Sequence, residues 1–153
     1  MSNLVEVYDL LKQVFLIIED GDRDFFQQYD LTVTRFYTLY HLDTTPGMTL
    51  RELADRLLCD KSNVTRVVKG LERDKLIYRQ DHETDGRAFR LYLHDAGRML
   101  LKQVDKLHAK YNYQRFDNNL SDGEYARLEQ SLLKLKSELS LKLTQTNEFI
   151  SRQ

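Results

Sequence analysis

Residues 49–97 constrain the fold of this chain more than any other stretch. Thr49 and Glu52 have the spacing of a capping box, in which each side chain satisfies the other's backbone amide, so a helix starts there. Leu50, Leu53, Ala54 and Leu57 give that helix an apolar stripe, and Cys59-Asp60 is a tight turn with Asp60 as N-cap of a second helix, Lys61 to Lys75. Ile77 to Gln80 and Phe89 to Leu93 then read as strands, the second alternating with a period of two. Between them lies the polar turn Asp81 to Arg87. The expected order is helix, turn, helix, β-hairpin.

Helices dominate elsewhere. Leu4, Tyr8, Leu11, Val14, Phe15 and Ile18 recur at three- and four-residue spacings, which predicts an amphipathic helix ending near Gly21, with Phe25, Phe26 and Tyr29 following a break. A second helix is expected from Thr32 to about Leu42, and Pro46-Gly47 closes it with a loop. His94-Asp95 opens a long helix to about Phe116. Ser121 and Glu124 form another capping box, from which Leu128, Leu132, Leu135, Leu139 and Leu143 run to about Ile150 with coiled-coil-like steps.

On the helix from Lys61 to Lys75, 100° per residue puts Val64, Val67, Val68 and Leu71 on one face. Ser62, Arg66, Lys69 and Arg73 line the opposite face, flanked by Asn63 and Thr65. Such a face fits recognition of double-stranded DNA. Arg66 can pair with guanine O6 and N7, Asn63 with adenine, and Ser62 at the helix N-terminus with phosphate. Lys69 and Arg73 would hold phosphates and set register. In the hairpin turn, Arg87 suits a narrow minor groove, with Asp85 orienting it through a salt bridge.

Net charge is −1, which gives no support to a polyanionic partner, but the charge is uneven: Lys61 to Arg90 carry eight basic and five acidic residues, a local +3. A rival reading, a module that docks a protein instead of DNA, would call for acidic or apolar groups where Arg66, Lys69 and Arg73 stand. No phosphate loop, nucleophile elbow or metalloprotease helix occurs, so the chain is not expected to be an enzyme. A lone cysteine, Cys59, excludes an intrachain disulfide framework, and the N-terminal residues lack the pattern of a secretory signal. The apolar run Val14 to Ile18 is too short to span a membrane, so a cytoplasmic location is expected.

Leu53-Ala54, the segment from Asp60 to Arg66, Leu71, Leu76, Asp85-Gly86-Arg87, and Leu91 to Leu93 followed by Gly97 together resemble the MarR family of bacterial transcriptional regulators. The matching stretch covers about a third of the chain, and the flanking helices agree in order and length. His94, Asn63 and Gly86 depart from the family's usual Thr, Ser or Thr, and Arg.

The resemblance implies a mainly α fold with a small β-hairpin wing, a winged helix–turn–helix flanked by N- and C-terminal dimerisation helices. The expected organisation is a single domain over 1–153. Its dimerisation helices are 1–30 and 117–153, its DNA-binding lobe is 31–98, and 95–117 is a linking helix. Leu4, Tyr8, Leu11, Leu128, Leu132, Leu135 and Leu139 are the expected dimer interface. By position, Ser62, Asn63, Thr65 and Arg66 would face the major groove, and Arg87 the minor groove.

The functional expectation is a homodimeric transcriptional regulator, repressing from a pseudo-palindromic operator whose half-sites lie about one helical turn, roughly 10 bp, apart. A small aromatic effector is the expected signal, with Tyr37, Tyr40 and Tyr111 as candidate pocket residues beside Phe25, Phe26 and Tyr113, and oxidation of Cys59 as the other route. His41 and His108 lack a third ligand, so neither a metal nor a cofactor is expected. The operator, the regulated genes and the effector are not encoded in any readable pattern.

Overall fold

The computed structural model describes residues 3–81, 83–84, 86 and 88–151, with side chains as far as Thr144. The described elements are helices α1 (Leu4–Gln27), α2 (Val33–Thr44), α3 (Leu50–Leu57) and α4 (Lys61–Arg73), strands β1 (Ile77–Asp81) and β2 (Phe89–Leu93), and helices α5 (Asp95–Phe116) and α6 (Asp122–Ser151). The chain divides into two compact units, Met1–Ala109 and Lys110–Gln153.

In the first unit α1 begins at Asn3, whose side chain accepts from the Val5 amide, and runs unbroken through Gly21. The expected break near Gly21 is absent. A mid-helix glycine costs roughly 1 kcal/mol against alanine, and the next turn more than offsets that by burying Phe25 and Phe26. The helix stops where Asp30 turns left-handed, at φ 54°.

The core of this unit gathers Phe26, Phe36, Leu39, Leu42, Leu53, Val64, Val68, Leu71, Ile77, Leu91 and Val104, all nearly fully buried. Phe26 stacks on Phe36 at 4.4 Å between ring centroids, and the His108 ring lies 4.6 Å from Phe26. His108 Nε2 meets Asp22 Oδ1 at 3.1 Å, deep in this cluster. The carboxylate on α1 thereby engages one ring nitrogen of His108. Phe25 and Phe26, offered above as pocket lining, are core residues.

The turn between α3 and α4 is a Schellman motif. Cys59 N donates to Ala54 O at 3.1 Å and Leu58 N to Asp55 O at 3.4 Å, closing the last turn of α3. The residue that must turn left-handed is Leu58, with φ 50° and ψ 38°, and its side chain is 81% exposed. Glycine is the residue such a site favours, because a Cβ crowds the carbonyl there at about 1–2 kcal/mol. Replacing Leu58 with Gly is expected to raise stability by about 0.5–1 kcal/mol once glycine's extra unfolded-state entropy is subtracted. Thermal denaturation would show it as a Tm gain of about 1–4 °C, and a loss of Tm would mean that Leu58 packs in a way its exposure does not suggest.

The hairpin pairs Ile77 with Leu93, Arg79 with Leu91 and Asp81 with Phe89. The other edge of β2 meets Met48, with Leu91 N donating to Met48 O and Gly47 N to Leu91 O, each at 2.9 Å. The base of the hairpin is fixed to α5 through Leu76, whose carbonyl accepts from His94 N at 2.9 Å. Gly97 passes so close that a Cβ there would stand 2.1 Å from the Leu76 oxygen.

In the second unit, Glu124 Oε2 accepts from the Ser121 amide at 2.9 Å and from its hydroxyl at 2.7 Å, so α6 is capped as its sequence predicts. These hydrogen bonds hold the Glu124 carboxyl below the ordinary glutamate range. Leu128, Leu132, Leu135 and Leu139 remain exposed along this helix.

Candidate nucleic-acid interface

The face of α4 is built by opposition. Val64, Val68 and Leu71 are fully buried, which turns Ser62, Arg66, Lys69 and Arg73 outward, with Asn63 and Thr65 half-buried beside them. Ser62, Thr65, Arg66, Lys69, Gly70 and Arg73 line one shallow groove along the helix. Of the sequence-predicted contact residues on this strip of α4, all but Asn63 line that groove.

Local hydrogen bonds already engage the first turn of that strip. The Asp60 carboxylate accepts from the Asn63 amide at 2.8 Å and from the Ser62 hydroxyl at 2.5 Å. These bonds, the Ser62 hydroxyl first, hold Asp60 below its ordinary value. A carboxylate therefore occupies the anion position at the helix N-terminus where phosphate was expected. Thr65 donates to Lys61 O at 2.8 Å. Arg66 Nη2 donates to Asn63 Oδ1 at 2.9 Å, so these two base-reading candidates are coupled.

Long-range ion pairs shape the electrostatics. Glu72 takes the Arg79 guanidinium at 2.6 Å, and Arg79 also lies over the Phe89 ring at 5.4 Å. Asp74 takes Arg35 at 2.5 Å and Arg73 at 3.4 Å, and the Arg35 hydrogen bond holds its carboxyl below the ordinary aspartate range. Both acids near the end of α4 are thereby balanced. Lys61, Arg66 and Lys69 have no ion pair among the described residues. These three are the cations of the α4 face left without a carboxylate partner among the described residues. Arg35, Glu72, Asp74 and Arg79 were missed in the sequence, and no local signal announces them, since Arg35 and Asp74 are 39 positions apart.

β1 and β2 form the wing. Asp85 and Arg87, assigned to the minor groove above, lie outside the described residues.

Residues 29–88, which hold α2 to α4 and the first strand of the wing, match the profile of the MarR family. Over that stretch the chain is similar to the MarR family. Among its relatives, the HTH-type transcriptional regulator YsmB of Bacillus subtilis is 25% identical over 142 residues, covering 93% of this chain and 97% of that protein. The structure of a MarR-like regulator from Bacillus cereus, 24% identical, superposes with a TM-score of 0.78 over 88% of this chain and 96% of that one. The Staphylococcus aureus MepR–DNA complex, 25% identical, gives 0.74 over 85% and 95%. The fold is a winged helix of the kind solved for those regulators.

Tyr37 and Tyr40 sit on α2 with ring centroids 6.4 Å apart. Burial, followed by the charges of Asp22 and Glu19, pushes the Tyr37 hydroxyl above its ordinary pKa. Tyr111 belongs to the second unit, where the Arg115 guanidinium covers its ring at 4.4 Å. Cys59 is half-buried, its Sγ donating to Leu57 O at 3.4 Å. No helix among the described residues is long and apolar enough to cross a membrane.

Proposed function

We propose that this protein is a homodimeric, sequence-specific repressor that binds a pseudo-palindromic duplex in the cytoplasm and blocks polymerase there. The observation that carries the reading is the solvent-facing cationic strip of α4, which no part of its own unit covers. The MepR relative and Streptococcus pneumoniae FabT, each solved with DNA, support it by analogy. Segment 31–98 would be the reading lobe, 1–30 and 117–153 the dimer helices, and 95–117 the link. Exposed Leu4, Tyr8 and Leu11 on α1, and the leucines of α6, are what a second copy would cover.

In this reading Arg66 contacts guanine. Its bond to Asn63 uses one of five donors and restrains the side chain, which lowers the ordering cost of docking. Lys69 and Arg73 hold phosphates, and Arg87 enters the minor groove with Asp85 beside it. A small aromatic ligand reaching Tyr37 and Tyr40, or oxidation of Cys59, would act by changing the spacing of the two reading heads.

Selection of bound duplexes from a random pool at fixed salt tests the reading, repeated with phenolic compounds and with oxidant. An inverted repeat should emerge. Arg66→Ala should then lose about 1–3 kcal/mol of binding and relax preference at one base pair per half-site. If no duplex is enriched, or if Arg66→Ala binds the selected site as the parent does, the assignment fails.

A further inference from the structure

α4 contains a glycine, Gly70, in its third turn. Glycine inside a helix costs about 0.5–1 kcal/mol relative to alanine, so an interior glycine calls for a reason. Two other glycines have one. Gly97 lets two backbone segments touch, and Gly47 adopts a φ of +84°. Gly70 has neither justification. Its backbone is helical, and nothing lies within 4 Å of the place a Cβ would take. The chain's own packing leaves room for a side chain that is not there.

The vacant position is in the cationic groove. Gly70 follows Arg66 by four residues and precedes Arg73 by three, so it stands between them on one face, next to Lys69. We propose that Gly70 is a bare seat for the sugar–phosphate strand of the bound duplex, letting α4 approach closely enough for Lys69 and Arg73 to reach phosphates on that strand. This rests on the DNA-binding reading above. The N-terminal part of a recognition helix faces base edges, so a seat in the third turn meets the groove wall, and its effect is on affinity irrespective of sequence. A methyl group there holds the strand away and lengthens both cation–phosphate contacts.

Gly70→Ala and Gly70→Leu, made in the full chain, test the assignment against the parent by melting and by titration of the selected duplex and of a random-sequence duplex at several salt concentrations. Gly70→Ala should keep or raise Tm, because alanine is the better helix former. It should nevertheless weaken binding to both duplexes by about tenfold, and Gly70→Leu by more. Affinity lost while the fold gains stability is a result that a purely structural role for Gly70 does not give. Equal or tighter binding by Gly70→Ala overturns the seat and leaves the DNA-binding reading intact. So does a loss confined to the selected sequence, which would place a base edge at Gly70, or a marked fall in Tm, which would return the glycine to internal packing. A parent protein that binds no duplex overturns both.

Discussion

Aspartate at both Leu132 and Leu135 is expected to leave a folded chain that sediments as a monomer and binds its operator at least 100-fold more weakly. The two side chains are 43% and 38% exposed on α6, so the substitutions remove little from the protomer's own packing. In the dimer they would place four carboxylates in an apolar seam, where each unpaired charge costs several kcal/mol. A monomer keeps one reading head and about half the phosphate contacts, so both affinity and salt slope fall. Sedimentation and a salt titration of the same variant check the two halves of this outcome. A variant that remains dimeric with unchanged affinity would remove α6 from the interface.

Gly97→Ala is expected to destabilise the first unit by about 1–3 kcal/mol, with a Tm lower by about 3–10 °C. The added methyl would lie 2.1 Å from the Leu76 carbonyl oxygen and 3.0 Å from its carbon. Both atoms are backbone, and the oxygen already accepts from His94 N, so no side-chain rotation relieves the clash. Either the first turn of α5 or the base of the hairpin must shift. A shift of the hairpin would move the wing against α4 and weaken DNA binding beyond what stability explains. An unchanged melting curve would show that the junction yields at no cost. Two glycines less than thirty positions apart thus carry opposite expectations for the same substitution.

Local chemistry was the legible part of the fold. The Thr49 and Ser121 caps, Asp60 at the head of α4, and the period-two alternation of β2 are short-range devices, and each sits where its spacing indicates. Gly21 misled because the packing of the following turn outweighs a local propensity. The Arg35–Asp74 and Arg79–Glu72 pairs and the buried Asp22–His108 contact join residues that only the fold brings together, so charge and histidine counts along the chain could not foretell them. The end of α4 fell at Arg73, short of Lys75, because Lys75 adopts a left-handed φ of 56° to swing the chain into β1. The strip of α4 was readable for a simple reason: three buried aliphatics on one side of a helix dictate what the other side shows.

Asp60 sets the electrical profile of that strip. Its carboxylate sits on the pole where exposed amides would otherwise pull in a polyanion and offsets the Lys61 charge beside it, so α4 begins close to neutral and its positive charge builds from one turn later, at Arg66. In the DNA-binding reading, a duplex sliding along the protein would find the deepest well in the middle of the helix, which would make the arginine, not the helix tip, the origin from which register is measured.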